Sequence, residues 1–164
     1  MKKLPWFDRS GRFSLMKTAV FAGLFLPGLV AAVNLADGTF GAEPSKQVIH
    51  ALGLWTFRLM LIALLITPAM QIFKLPRLLI VRRMIGVAAF VYGALHLSAY
   101  VVQQHFDFAK VGSEIYLRFY LAIGLVALLI LLALAVTSTD AMIRRMGSRN
   151  WARRHRLVCI APIL

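Results

Sequence analysis

Four histidines and one arginine are the side chains here whose type and place suggest chemistry: His50, His96, His105, His155 and Arg58. His96 is the most telling. It interrupts an otherwise apolar run that follows Arg82 and Arg83 and ends near Val102. At ~1.5 Å per residue, that run crosses a hydrocarbon core of ~30 Å. An ionisable side chain inside such a helix costs free energy, so proton carrier, ligand and metal binder are its candidate roles. The alternative is a histidine satisfied by a neighbouring helix. Arg58 stands about two turns into another apolar run. Snorkelling to an interface is awkward at that depth, and pairing with an anionic cofactor group explains it at least as well.

The elements that must position these residues are membrane helices. The chain has 164 residues, 60% of them hydrophobic and 15% charged, with a mean hydropathy of +0.78. A soluble domain carries about a quarter charged residues. The apolar residues fall in long blocks, which predicts an all-α, polytopic membrane bundle. The net charge of +13 does not indicate nucleic acid, because the basic residues lie in short clusters between the apolar blocks. Cys159 is a lone cysteine in the last apolar stretch. It excludes an internal disulfide and reads as a small packing residue.

Residues 1–17 are polar and basic. Thr18 to Val33 is the first apolar block, broken by Pro27; a first transmembrane helix is preferred to a signal peptide. Asp37-Gly38 marks a turn in the following loop, and Pro44 a bend or helix start. The second span runs from about His50 to Ile72, and residues 71–83 form a basic loop. The third span ends near Val102, and residues 103–114 form a polar loop holding His105, a solvated loop residue. The fourth span is Tyr116 to Val136. Thr137-Ser138-Thr139-Asp140 then offers a helix-start cap for a short amphipathic segment. Arg144, Arg145, Arg149, Arg153, Arg154 and Arg156 make the next loop the most basic. Leu157 to Leu164 opens a fifth apolar block, too short to cross a bilayer. The expectation is one membrane domain over residues 1–164, incomplete at its C-terminus.

Lysine and arginine mark the cytoplasmic side. The N-terminus and the loops after the second and fourth spans are basic, which predicts four full spans with a cytoplasmic N-terminus. His96 then lies ~9 Å from the outer end of its helix, His50 at the outer end of the second span, and His155 on the inner side. His96 and His155 cannot easily share one metal ion. A partner for His96 on a helix starting at His155 is reached roughly 20 Å further along, beyond Leu164. His50, nearer the surface, is the weaker partner.

No H-E-x-x-H, cysteine pair or carboxylate cluster is present, so a hard-ligand metal site is not indicated. Histidines on facing helices between wide apolar walls suit a large flat cofactor such as haem, held through neutral imidazole. Its propionates need cations, for which Arg58, Arg82 and Arg83 are candidates. Phe90, Val91 and Leu97 would exclude water. The inner arginines Arg144, Arg145 and Arg149 could hold a flavin phosphate, such as that of FMN, although a role in topology is preferred. Methionines such as Met60, Met70 and Met84 read as packing residues.

Several stretches together resemble one family. They are His50-Ala51-Leu52-Gly53 with Arg58 and Leu64-Leu65-Ile66-Thr67-Pro68; Arg82-Arg83-Met84-Ile85-Gly86; Leu95-His96-Leu97-Ser98-Ala99-Tyr100; Thr137-Ser138-Thr139; and Trp151 to Val158 around His155. This order resembles the haem-binding membrane subunit of the bacterial protein-methionine-sulfoxide reductase system (the MsrQ/YedZ type), within the ferric-reductase-like transmembrane group. The resemblance implies a six-helix haem b protein of the bacterial inner membrane. It implies electrons passing from quinol or reduced flavin to a periplasmic molybdenum-containing reductase of methionine sulfoxide in oxidised envelope proteins. It also makes His96 the haem ligand of the third helix and His155 the first of two in the fifth. The family's Trp-x-x-Leu-His-Arg-Leu-Val-Tyr is altered here, with Arg154 for the leucine and Cys159 for the tyrosine.

Two other classes compete. A proton-coupled transporter would relay through His96 and Arg58, but it predicts acidic residues in the spans, and there are none. A plain membrane anchor leaves His50, Arg58 and His96 without a reason.

Overall fold

The computed structural model describes residues 15–75 and 78–138. These residues form α1 (Leu15–Ala36), α2 (Pro44–Phe73), α3 (Leu78–Gln103), α4 (Phe108–Leu117) and α5 (Phe119–Thr137), with no strand among them. In lipid every backbone polar group needs an internal partner, so unbroken apolar runs become helices. Four of the five, α1, α2, α3 and α5, are long and apolar enough to span a membrane. The chain is therefore an all-α polytopic membrane protein. The cap segment expected after Asp140, the arginines 144–156, His155 and Cys159 all lie outside the described residues.

Several boundaries differ from the sequence reading. The second span begins at Pro44 rather than near His50, because proline suits the first helical turn. At 30 residues, α2 is about 45 Å long, so it extends beyond a ~30 Å hydrocarbon core. The basic loop shrinks to a few residues after Lys74, whose left-handed backbone (φ 51°) ends α2; Arg82 and Arg83 belong to the first turns of α3. The polar loop after α3 is largely helical. Asp107 caps α4 by accepting a bond from the Lys110 amide at 2.9 Å. Arg118, extended at φ −108° and ψ 99°, separates α4 from α5. Thr137 and Ser138 close α5, their hydroxyls bonding back to the Ala133 and Leu134 carbonyls; Thr139 and Asp140, the rest of the expected cap, lie outside the described residues. The Asp37-Gly38 turn is present, with Gly38 at φ 69°.

The antiparallel pair α2 and α3 forms the centre, and α5 packs on α3. Leu59, Ala63 and Ile66 of α2 meet Val81, Ile85, Ala89 and Tyr92 of α3, each set at helical spacing. Ala63 and fully buried Ala89 are small enough to bring the two backbones close. Met60 joins this core as a packing residue. Leu65, Ile72 and Phe25 face outward, as lipid permits.

α1 is held by a specific device. Pro27 lies inside it and has no N–H to offer. Beside Pro27, the Tyr92 hydroxyl accepts from the Gly28 amide and donates to the Leu24 carbonyl, both at 2.8 Å. The hydroxyl thus bridges the donor and acceptor of one helical rung. Gly28 leaves room for it: a Cβ there would sit 3.1 Å from the oxygen. Tyr92→Phe is expected to cost about 1–3 kcal/mol by removing the shared partner of two backbone groups. Amide exchange should rise locally at Leu24–Gly28, with α2 and α3 unaffected.

Candidate functional site

His96 projects from α3 toward the first turns of α2. Its Nδ1 donates to the Ile49 carbonyl at 2.8 Å. A carbonyl can only accept, so Nδ1 carries a hydrogen, which leaves Nε2 as the ring nitrogen available to a ligand. Gly53 makes this approach possible. A Cβ at Gly53 would lie 3.0 Å from both Nδ1 and Cε1 of the ring, tighter than most real contacts, so the ring would have to shift. The glycine of the His50-Ala51-Leu52-Gly53 stretch therefore has a steric reason, and the Ile49 carbonyl fixes the ring's orientation.

The half-buried ring lines a cavity of about 970 Å³ between α2, α3, α4 and α5. This lies at the upper end of the ~300–1,000 Å³ range of ligand pockets. Its apolar walls include Met60, Leu97, Leu128 and Leu131. Gly93 lets α2 and α5 close around α3: a Cβ there would meet Leu128 at 3.0 Å and Thr56 at 3.3 Å. The Thr56 hydroxyl is satisfied by the Leu52 carbonyl at 2.8 Å. The polar lining includes Lys46, His50, Tyr100, Glu114 and Arg118.

His50 shares this cavity with His96. The sequence reading put His50 nearer the surface because it started the helix there. With α2 beginning at Pro44, His50 lies six residues into its helix and His96 seven from the end of its own. Both therefore stand about 9–11 Å from the same end of the bundle.

The arginines behave differently. Arg58 is exposed, stacks over Trp55 at 5.0 Å and does not line the cavity. Arg82 and Arg83 also lie off it, about 20 Å along α3 from His96. Of the three expected shielding side chains, Leu97 lines the cavity, Phe90 packs on the core and Val91 is exposed. His105 is an exposed turn residue at φ 53°.

Lys46, Tyr100, Glu114 and Arg118 were not singled out by sequence reasoning. Tyr100 stands one turn beyond His96, a signal that was available. Its hydroxyl donates a very short hydrogen bond to Glu114, tying α3 to α4. Arg118 donates to the Tyr120 hydroxyl at 3.0 Å. That bond, with the nearby Glu114 carboxylate, holds the guanidinium above its ordinary pKa. Among the described residues, no group of three or more His, Cys, Asp or Glu side chains is placed to hold a metal ion.

The described residues thus form a multi-pass helical bundle with a histidine on the wall of a large, mostly apolar cavity, a kind of site that suits a bound cofactor. Residues 52–164 match the family described as ferric reductase like transmembrane component, and the chain belongs to that family. Its similarity extends to proteins named protein-methionine-sulfoxide reductase heme-binding subunit MsrQ. The one from Caulobacter vibrioides is 45% identical over 92% of this chain and 72% of its own length. That from Rhodospirillum rubrum is 39% identical over 96% and 74%. That from Yersinia enterocolitica is 38% identical over 91% and 75%. The chain thus spans about three quarters of the length of these three relatives. No solved structure matches it.

Proposed function

We propose that this chain is a haem b electron-transfer subunit of a bacterial inner membrane. In this reading it passes electrons from quinol or reduced flavin to a periplasmic molybdenum-containing enzyme that reduces methionine sulfoxide in envelope proteins. One observation carries the reading most directly: the His96 ring is held as the tautomer whose Nε2 is a ligand, beside an apolar cavity large enough for a flat macrocycle. The similar proteins are named as heme-binding subunits, which supports haem as the cofactor.

Haem supplies a one-electron iron couple whose potential depends on axial ligands and burial. The chain's residues bind and position it. His96 offers Nε2, the Ile49 carbonyl orients the ring, and Gly53 leaves it space. Leu97, Leu128 and Leu131 exclude water. His155, by resemblance, belongs to the fifth helix and provides a ligand on the opposite side of the membrane, where Arg82 and Arg83 supply cations. Basic clusters at the N-terminus, at residues 74–83 and at residues 144–156 orient that side toward the cytoplasm. The His96 cavity then faces the periplasmic half, nearer the enzyme that accepts the electrons. FMN as a donor rests on the charge of Arg144, Arg145 and Arg149, which topology explains as well.

The transporter reading loses support from the same geometry. Arg58 does not share the cavity with His96, and α1, α2, α3 and α5 contain no Asp or Glu. The test is anaerobic addition of a quinol analogue, or of reduced FMN, to the oxidised protein in detergent. Appearance of a ferrous b-type spectrum with either donor is expected. An oxidised spectrum that neither donor changes would sink the electron-transfer reading.

A further inference from the structure

Apart from Thr56, whose hydroxyl is already bonded to the Leu52 carbonyl, the polar side chains of the cavity come from the same end of the bundle. Lys46 lies in the first turn of α2, and Arg118 at the joint between α4 and α5, so two separate elements bring cations to one rim. Lys46 stands one turn beyond His50 toward that end, about 6 Å by helical rise. Gln103 and Gln104, from the end of α3, add neutral hydrogen-bonding groups to the same rim. The walls below are apolar. The arginines expected to receive the cofactor's carboxylates, Arg58, Arg82 and Arg83, are absent from this lining.

The two cations have weak existing commitments. Lys46 pairs with Glu43 at 2.8 Å on the surface, both side chains being more than half exposed. Arg118 donates to the Tyr120 hydroxyl. The nearby carboxylate, Glu114, already accepts the Tyr100 hydroxyl. Long cationic side chains at a rim can turn toward a ligand while their heads stay in water.

We propose that Lys46 and Arg118 form a carboxylate subsite at the outer rim of the His96 cavity. A flat apolar ring system with acidic groups along one edge binds there with that edge outward. This rests on the haem reading above and deepens it: the propionates point away from the bundle centre, toward the end bearing α4. The apolar walls leave them no favourable place in the opposite orientation.

The test is titration of the apoprotein in detergent with haem and with haem dimethyl ester, whose carboxylates are masked. Wild type is expected to bind the free acid about fivefold more tightly than the ester, the gain of a few solvent-screened ion pairs. Lys46→Gln/Arg118→Gln should bring that ratio close to one by weakening the free acid alone. Lys46→Arg/Arg118→Lys should restore it. A double variant that keeps the wild-type ratio, or that loses both ligands equally, would overturn the subsite. Ester binding that disappears in His96→Ala shows that the haem reading stands whatever the ratio does. If neither ligand binds wild type in a His96-dependent way, the haem reading and the subsite fall together.

Discussion

Replacing His96 with alanine is expected to remove most haem from the purified protein and to lower its affinity at least about tenfold. The imidazole is the one group on α3 that combines a ligand lone pair, a fixed tautomer and a place on the cavity wall. Alanine removes the ligand and the Ile49 carbonyl's side-chain partner, but it leaves the α2–α3 contacts at Leu59, Ala63 and Ala89 intact. The bundle should therefore still fold, with unchanged helicity and thermal midpoint within a few degrees. Haem content by extraction, normalised to protein, gives the readout. Wild-type content in a folded His96→Ala protein would remove His96 from the ligand set.

Gly53→Val should also weaken the site, from a residue that is no ligand. Its Cβ would begin 3.0 Å from the His96 ring, and its branches would press further. The ring must then turn, which breaks the Nδ1 bond to Ile49 and misdirects Nε2. Loss of the partner that orients a ligating histidine costs roughly 10- to 100-fold in metal affinity. Gly86→Ala is the control, because nothing lies within 4 Å of a Cβ there. The expected outcome is weak haem binding with a shifted Soret band for Gly53→Val and wild-type behaviour for Gly86→Ala. Equal affinity in all three proteins would show that the ring is not held as described.

Depth was legible in the sequence where it followed from apolar length, and facing was not. An interrupting histidine in a spanning run is a local signal, so His96 stood out at once. Arg58 looked equally suited because it is equally unusual, yet it lies about 140° round α2 from Gly53 at ~100° per residue. That angle separates the cavity face from the face where Arg58 stacks on Trp55. His50 was misplaced for a different reason. The first turns of α2 extend past the hydrocarbon and carry Ser45, Lys46 and Gln47, so they read as loop. α4 escaped notice because its ten residues mix polar and apolar types and its start depends on one cap, Asp107. Missing α4 and its joint with α5 hid Glu114 and Arg118, just as reading the first turn of α2 as loop hid Lys46. All three belong to an end of the bundle where water, not lipid, shapes the sequence, and where hydropathy gives little guidance.

The most direct measurement is pulsed electron paramagnetic resonance on the oxidised protein grown with ¹⁵N-labelled histidine. Strong imidazole-nitrogen coupling to the iron is expected in wild type, with loss of one such coupling in His96→Ala and no change in Arg58→Ala. An identical spectrum in wild type and His96→Ala would contradict ligation by His96, because the iron would then be held by other residues and the cavity beside His96 would not be its site.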